Sequence, residues 1–454
     1  MTRPRFLFEK SAGPVGESRD PERAAVMQPF ENQNESKARF FWACVHAWLA
    51  AIAIVYVLGG VEWFFRAHML AGNTDFTTFY VSSRLLLKHS PSKLYDLRVQ
   101  AEVQKEVLGD YEPPEGFLPY IHPPFEAFLF LPLGYLSFSS ALLIWLGASV
   151  VLILLVPLFL TSQKSDPLRK HRVTLLLGSL SFFPFLACLW RGQDSILVLS
   201  LWALAYRAWK QGRDARAGVF LGLSFIKFHL AYLLLVPLLL EKRVRALFGV
   251  GISAGTLILT SALWIGVEGT LGYVEALGSM ATTLGKMANP QGKMQSWEAQ
   301  LYLLGLEGVH SITGRIMIAV IGMGLSVLLW KGRWQPNTRD FELRFSAQVL
   351  LALLASPHCH IYDLSLVFLP AVFVLRHLLD QADGSSSIRI LLAALLLVSP
   401  VVWVLTLWVT GFVPIQISVV WMTVCLVAIW QAANSGFTRT AATPINLAAP
   451  LGGS

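Results

Sequence analysis

Residues 390–438 run for 49 positions without an Asp, Glu, Lys or Arg. About 20 apolar residues suffice to cross a bilayer as a helix. The run therefore reads as two spanning helices, turned at Gly411-Phe412-Val413-Pro414. Other charge-free runs cover 40–61, 127–163, 173–190, 246–267 and 345–362. Shorter apolar pieces at 195–206, 217–226, 228–240, 316–330 and 364–375 are broken by single charges. That is the pattern of half-helices, re-entrant segments, or polar residues facing an internal cavity. The expectation is an all-α integral membrane protein, a polytopic helical bundle of about 10–12 helices.

Composition excludes the main alternatives. Charged residues make up 14% of the chain, against about a quarter in a soluble domain, so an ordinary cytosolic enzyme is ruled out. Aromatics at 12% rule out a disordered chain. Four cysteines in 454 residues rule out a disulfide scaffold or zinc ribbon. Cys44, Cys188 and Cys425 lie in apolar runs and read as buried packing residues. The net charge of +8 gathers in short loops: Lys164, Arg169, Lys170 and Arg172; Arg207, Lys210, Arg213 and Arg216; Lys242, Arg243 and Arg245; Lys331, Arg333, Arg339 and Arg344. This is the positive-inside pattern of a multi-pass protein of the inner cell membrane. No basic stripe is interleaved with aromatics, so no nucleic-acid partner is expected. Residues 1–39 read as a cytoplasmic tail with no cleavable signal, 40–432 as the membrane domain, and 433–454 as a second tail.

One long polar stretch, 61–126, interrupts the membrane pattern. With the N-terminus inside, it falls on the outer face. Asn73 and Thr74 precede a helical pattern that Pro91 ends, 94–108 reads as an amphipathic helix, and 111–124 is rich in proline turns. A long ordered loop between spanning helices is usually functional. If 127–163 is one crossing plus a re-entrant piece, the basic loop 164–172 stays inside; a hairpin would put it outside. The first arrangement is preferred.

A series of short motifs runs along the chain: Thr74-Asp75-Phe76-Thr77-Thr78-Phe79-Tyr80, Leu94-Tyr95-Asp96, Tyr120-Ile121-His122-Pro123-Pro124-Phe125, Arg191-Gly192-Gln193-Asp194, Ala217-Gly218-Val219-Phe220-Leu221-Gly222-Leu223 with Lys227, and Ser356-Pro357-His358-Cys359-His360. In order and in position this series, from about residue 40 to 375, resembles glycosyltransferase family 87, within the type C membrane glycosyltransferases. The family often has Lys-Pro where this chain has Lys227-Phe228-His229, and Asn after Gly-Gln where it has Asp194.

The resemblance implies a donor of polyprenyl-phosphate-mannose type and places the catalytic base at Asp75. A partly shielded carboxylate at the membrane surface suits removal of a hydroxyl proton; the plainer alternative is a helix cap, and both can hold together. Lys227, with His229 beside it, and Arg191 are candidate grips for the donor phosphate. Their alternatives are a snorkelling lysine and an interfacial anchor, and an Asp194–Arg191 pair would weaken the latter's phosphate role. Tyr80, His122, Gln193, His358 and His360 are candidate lining residues, against plainer parts as turn or interfacial polar groups. Trp297 and Tyr302 are weaker candidates for stacking on sugar. His358, Cys359, His360 and Asp363 cluster, yet no metal site is expected.

The reading is thus an inverting membrane hexosyltransferase, mannosyl by family default, working on the outer face and transferring to a lipid or glycan acceptor of the envelope. No cofactor is obligatory, with Mg2+ left open. The alternatives are a flippase for lipid-linked sugar, which would predict internal repeats that are not seen, and a non-catalytic subunit of an envelope polysaccharide assembly.

Overall fold

The computed structural model describes residues 40, 42–60, 62, 74–109, 111, 116–163, 166–280, 293–380, 387–409 and 412–441. Among these every regular element is helical. The candidate membrane span α1 (Trp42–Gly60) is followed by three loop helices, α2 (Phe76–Lys88), α3 (Leu97–Leu108) and α4 (Pro124–Phe130). Then come α5 (Phe138–Leu160), α6 (Arg172–Leu180), α7 (Phe183–Arg191), α8 (Ser195–Lys210) and α9 (Asp214–Leu223). Short turns α10 (Phe228–Ala231) and α11 (Leu235–Leu240) lead to α12 (Val244–Met280), which is interrupted at Gly266, whose φ is +69°. The remainder is α13 (Trp297–Leu303), α14 (Ile312–Trp330), α15 (Arg339–Leu354), α16 (Phe368–Asp380), α17 (Ser387–Val409) and α18 (Ile417–Ala441).

Seven helices among the described residues are long and apolar enough to cross a membrane, or eight if the pair bent by 48° around 180–183 is one span. The protein is a multi-pass membrane protein. The charge-broken segments form further, shorter helices packed inside the bundle. Helix α15 has Phe341, Leu343, Phe345, Ala347 and Val349–Leu354 at 3% exposure or less, although it starts with Arg339 and Asp340. The 390–438 run does divide in two: α17 ends at Val409 and α18 begins at Ile417. The 127–163 run gives one long helix, α5, preceded by the short α4 and a 3-10 turn. The expected tail at 1–39 lies outside the described residues; α18 continues to Ala441, into the stretch expected as a tail at 433–454. Cys188 and Cys425 are buried as expected, but Cys44 is exposed, because only 6% of the apolar window of α1 is covered by protein.

The loop region has its own small core, in which Phe76, Phe79, Tyr80, Tyr95, Tyr120 and Phe130 pack with Ile265 of α12. The first loop helix begins at Phe76, as the Asn73-Thr74 signal implies. The second starts at Leu97, not 94, because Asp96 caps it, accepting from the backbone N–H of Arg98 and Val99. Two buried glutamines of α3 fasten the proline-rich segment. Gln100 exchanges hydrogen bonds with the backbone of Tyr120 at 2.8 and 3.1 Å, and Gln104 accepts from Leu118 N at 3.1 Å.

Helices α9 and α12 approach at backbone distance. A Cβ on Gly218 would lie 1.9 Å from the Ala246 carbonyl, and one on Gly249 2.1 Å from the Ala215 carbonyl. Small residues permit this contact, which in membranes replaces hydrophobic driving force with close van der Waals packing.

Helix α8 fixes the long axis of the bundle. At 1.5 Å per residue it is about 24 Å long. Its first residue, Ser195, bonds to Asp363, and its last turn carries Arg207 and Lys210. The basic loops meet at that second end, around a cavity of about 300 Å3 lined by Asp166, Arg207, Lys210, Thr338, Glu342 and Arg376.

Candidate active site

Asp75 stands at the N-cap position of α2, but its own backbone is helical and its side chain makes no capping bond. The carboxylate instead reaches the turn after α7. Gln193 Nε2 donates to Oδ2 at 2.9 Å, and Arg191 Nη1 lies 3.4 Å from Oδ1. The side chain of Asp75 is 23% exposed and that of Arg191 40%. The turn is built for this approach. Gly192 ends α7 with φ +65°, and a Cβ there would meet the Phe76 Cβ at 2.6 Å. Only glycine satisfies both demands. Trp145 Nε1 donates to the Gly192 carbonyl at 2.9 Å, which pins the turn from the other side.

Behind Gln193 lies Lys227, 3% exposed, where α9 breaks into a 3-10 turn. Its ammonium lies 2.8 Å from Asp363 Oδ1, 3.1 Å from Asp194 Oδ1 and 3.3 Å from Gln193 Oε1, and 4.9 Å over the Tyr362 ring. Asp363 is fixed in turn by Ser195 Oγ at 2.6 Å and by the backbone N–H of His360 at 2.9 Å. One chain of contacts therefore runs Asp75–Gln193–Lys227–Asp363. Two expectations change here. Asp194 pairs with Lys227 rather than Arg191, which leaves Arg191 to Asp75. Lys227 was expected to grip a phosphate, but its charge is already matched by two carboxylates. Such a buried group is costly to break and gives little net attraction to a further anion.

Three imidazoles gather beside this chain. The His229 and His358 rings are 5.4 Å apart, His358 and His360 4.8 Å, and His360 stacks on Tyr362 at 5.1 Å. The break after α15 makes this possible: the Ser356 hydroxyl donates to the His358 carbonyl and accepts from its N–H. Burial holds both His358 and His360 below the ordinary imidazole value. His122 packs against α2, 4.8 Å from the Phe79 ring, with Nδ1 3.1 Å from Glu126 Oε2.

Tyr80 is not brought to the cluster. It is buried, and its hydroxyl donates to the Leu136 carbonyl at 2.7 Å, where the loop core needs an acceptor satisfied. Trp297 and Tyr302 are likewise engaged elsewhere, with Thr423 and His310. Among the described residues no three His, Cys, Asp or Glu side chains are grouped to hold a metal ion. Two carboxylates were not singled out for this site by sequence. Asp363 entered only as a neighbour of the histidines, and Glu126 only as the end of the polar loop. Their common signal is a lone acid beside an apolar run, which must find a partner when it is buried.

No curated protein and no solved structure matches the chain. The profile of glycosyltransferase family 87 matches residues 120–357, a segment that holds the Arg191–Asp194 turn, Lys227 and His122 and ends just before His358, with Asp75 and Asp363 outside it. That segment is more than half of the sequence, and the chain belongs to glycosyltransferase family 87: it is a multi-pass membrane glycosyltransferase.

Proposed function

We propose that this enzyme moves a hexose, mannose by family default, from a polyprenyl-phosphate donor to the hydroxyl of an envelope glycolipid or glycan, with inversion at C1. The observation that carries the reading is the carboxylate of Asp75, partly open to solvent and held by Gln193 and Arg191. An acceptor hydroxyl loses its proton to Asp75 as its oxygen bonds to C1. The C1–O bond to phosphate breaks on the opposite side, and its electron pair leaves with the phosphate. Arg191, beside the base and 40% exposed, is the guanidinium placed to meet that anion. Lys227 acts from behind by fixing Gln193. His360 and His229 line the same side. A monophosphate leaving group needs little charge compensation, so protein cations suffice and no metal is obligatory.

The arrangement of charge supports an extracytoplasmic site. Asp75 and the Ser195 end of α8 lie at the end of the bundle opposite the basic loops. The positive-inside bias puts those loops in the cytoplasm and the Asp75 end in the periplasm or outer space.

The test is transfer by purified protein in detergent, with polyprenyl-phosphate-mannose and a panel of lipid acceptors, read as released polyprenyl phosphate. Release that requires both acceptor and Asp75 supports the reading. No release with any hexose on this carrier overturns it.

A further inference from the structure

Glu126 is fully buried, and neither of its carboxylate oxygens has a hydrogen-bond partner. A buried carboxylate left so is expensive unless a charge faces it. The group that faces it is His122, whose Nδ1 is 3.1 Å from Oε2 and whose side chain is a quarter exposed. The histidine is also held by its backbone. Tyr95 Oη donates to its carbonyl at 2.6 Å, Gln100 anchors the preceding Tyr120, and the Tyr120 hydroxyl closes on the Pro123 carbonyl at 2.8 Å. A hidden acid thus backs a ring that is itself partly exposed.

This pair fills a gap in the charge pattern. The Lys227 cluster carries one cation and two carboxylates, and Arg191 faces Asp75. Arg191 is shared with Asp75, so a second positive group beside it would strengthen the hold on a donor phosphate.

We propose that Glu126 is a positioning residue of the glycosyl transfer, holding His122 as an imidazolium that receives the donor phosphate. This rests on the polyprenyl-phosphate reading above. His122 keeps its proton throughout: it donates a hydrogen bond to the phosphate oxygen that takes the electron pair from the breaking C1–O bond. The acceptor proton still goes to Asp75. Glu126 cannot touch substrate and acts through the ring alone.

The electrostatics agree with the geometry. Burial presses His122 down, but Glu126 outweighs it and the net direction is up; burial also raises Glu126, to about 7, so the pair is fully charged only above that value. That is opposite to His358 and His360. The groups facing the pair are Asp194 from the α7–α8 turn, Lys227 and His229 from the α9–α10 break, Tyr95 ahead of α3, Tyr120 from the same segment, and Tyr273 of α12. The charge on His122 is present below its raised value and lost as pH rises through it.

The experiment compares wild type with Glu126→Gln and Glu126→Asp in the detergent transfer assay across pH. In Glu126→Gln the alkaline limb of kcat/KM should move toward acid. Above neutral pH the donor KM should rise about tenfold or more, the loss of one charge-assisted hydrogen bond. Glu126→Asp should recover part of both. A Glu126→Gln enzyme with the wild-type pH limbs and donor KM overturns the proposal. If that variant is inactive, binding of polyprenyl monophosphate in micelles, read by tryptophan fluorescence, decides. Binding that keeps the wild-type pH dependence overturns the proposal, and binding that loses it supports it. If wild type transfers no hexose yet binds polyprenyl monophosphate in a pH- and Glu126-dependent way, the donor reading fails and the role of the pair in holding phosphate stands. If it does neither, both fail.

Discussion

Helix α8 carries a buried ion network at each end, and the two are built differently. At the basic end, Arg376 spans Asp166 at 2.8 Å and Glu342 at 3.0 Å and donates to the Leu160 carbonyl, while Tyr206 and Lys210 complete Glu342. Each acid there has its hydrogen bonds. At the other end, Asp194 meets Lys227 only as an ion pair, and the oxygens of Asp194 and Glu126, Thr74 Oγ1 and His229 Nε2 are buried without hydrogen-bond partners. Saturated networks fix geometry; incomplete ones keep chemistry available, at a cost in stability. The contrast lies in how the acids are held, and it sets the basic end apart from the end that carries the proposed site.

The largest effect expected is at Asp75. Asp75→Asn should lower turnover by about 10²–10⁴-fold, the usual contribution of a positioned base, with donor binding kept. A transporter of lipid-linked sugar would barely notice the change, so the same assay, with flipping measured in parallel, separates the two activities. Next is Lys227→Met, which strands Asp194 and Asp363 together in the interior. It should destabilise the fold by about 3–5 kcal/mol, seen as a lower Tm in detergent, and adding Asp363→Asn should restore part of it. If the single variant melts like wild type, the network at the reacting end is not structural and the comparison fails there.

Glu342→Gln should cost less, because Asp166 still matches Arg376. Burial pushes the Glu342 carboxyl up, but Arg376, Tyr206 and Lys210 pull it further down, so it stays below the ordinary carboxylate value. A depressed acid contributes stability above its unfolded value, and that stability is lost as pH falls through the folded one. The wild-type Tm should therefore drop in acid more steeply than that of Glu342→Gln. Arg191→Lys should mainly raise donor KM, by about tenfold, since lysine cannot make the forked contact with phosphate. The smallest effect is expected from chelation. EDTA should leave turnover unchanged, and a loss restored by Mg2+ would put a metal where the reading has protein cations.

Much of this was legible in the sequence wherever the physics is local. Apolar runs of spanning length gave α5, α17 and α18, and the Arg-Gly-Gln turn flagged a glycine that the Phe76 contact explains. The groups that meet across long separations were not legible. Lys227 and Asp363 are 136 residues apart, and nothing local tells a lysine between apolar runs whether its partner is a substrate or an aspartate. The same holds for Tyr80: an aromatic one turn beyond a candidate base looks like a sugar platform until the Leu136 carbonyl is found at its hydroxyl. The division of the broken segments into long and short helices was not legible either, for a related reason. A charge inside an apolar run marks equally well a lipid-exposed helix end and a short helix wholly enclosed by others, as in α15.

If the donor is the proposed polyprenyl phosphate, the contact between α9 and α12 bears on how its chain gets in. With the backbones of Gly218 and Gly249 against those of Ala246 and Ala215, not even a methyl group fits between the two helices, so this seam is sealed to hydrocarbon. A carrier whose sugar is to arrive in front of Asp75 must thread its chain along another flank of the bundle, and the side from which membrane lipid reaches the reaction centre is narrowed accordingly.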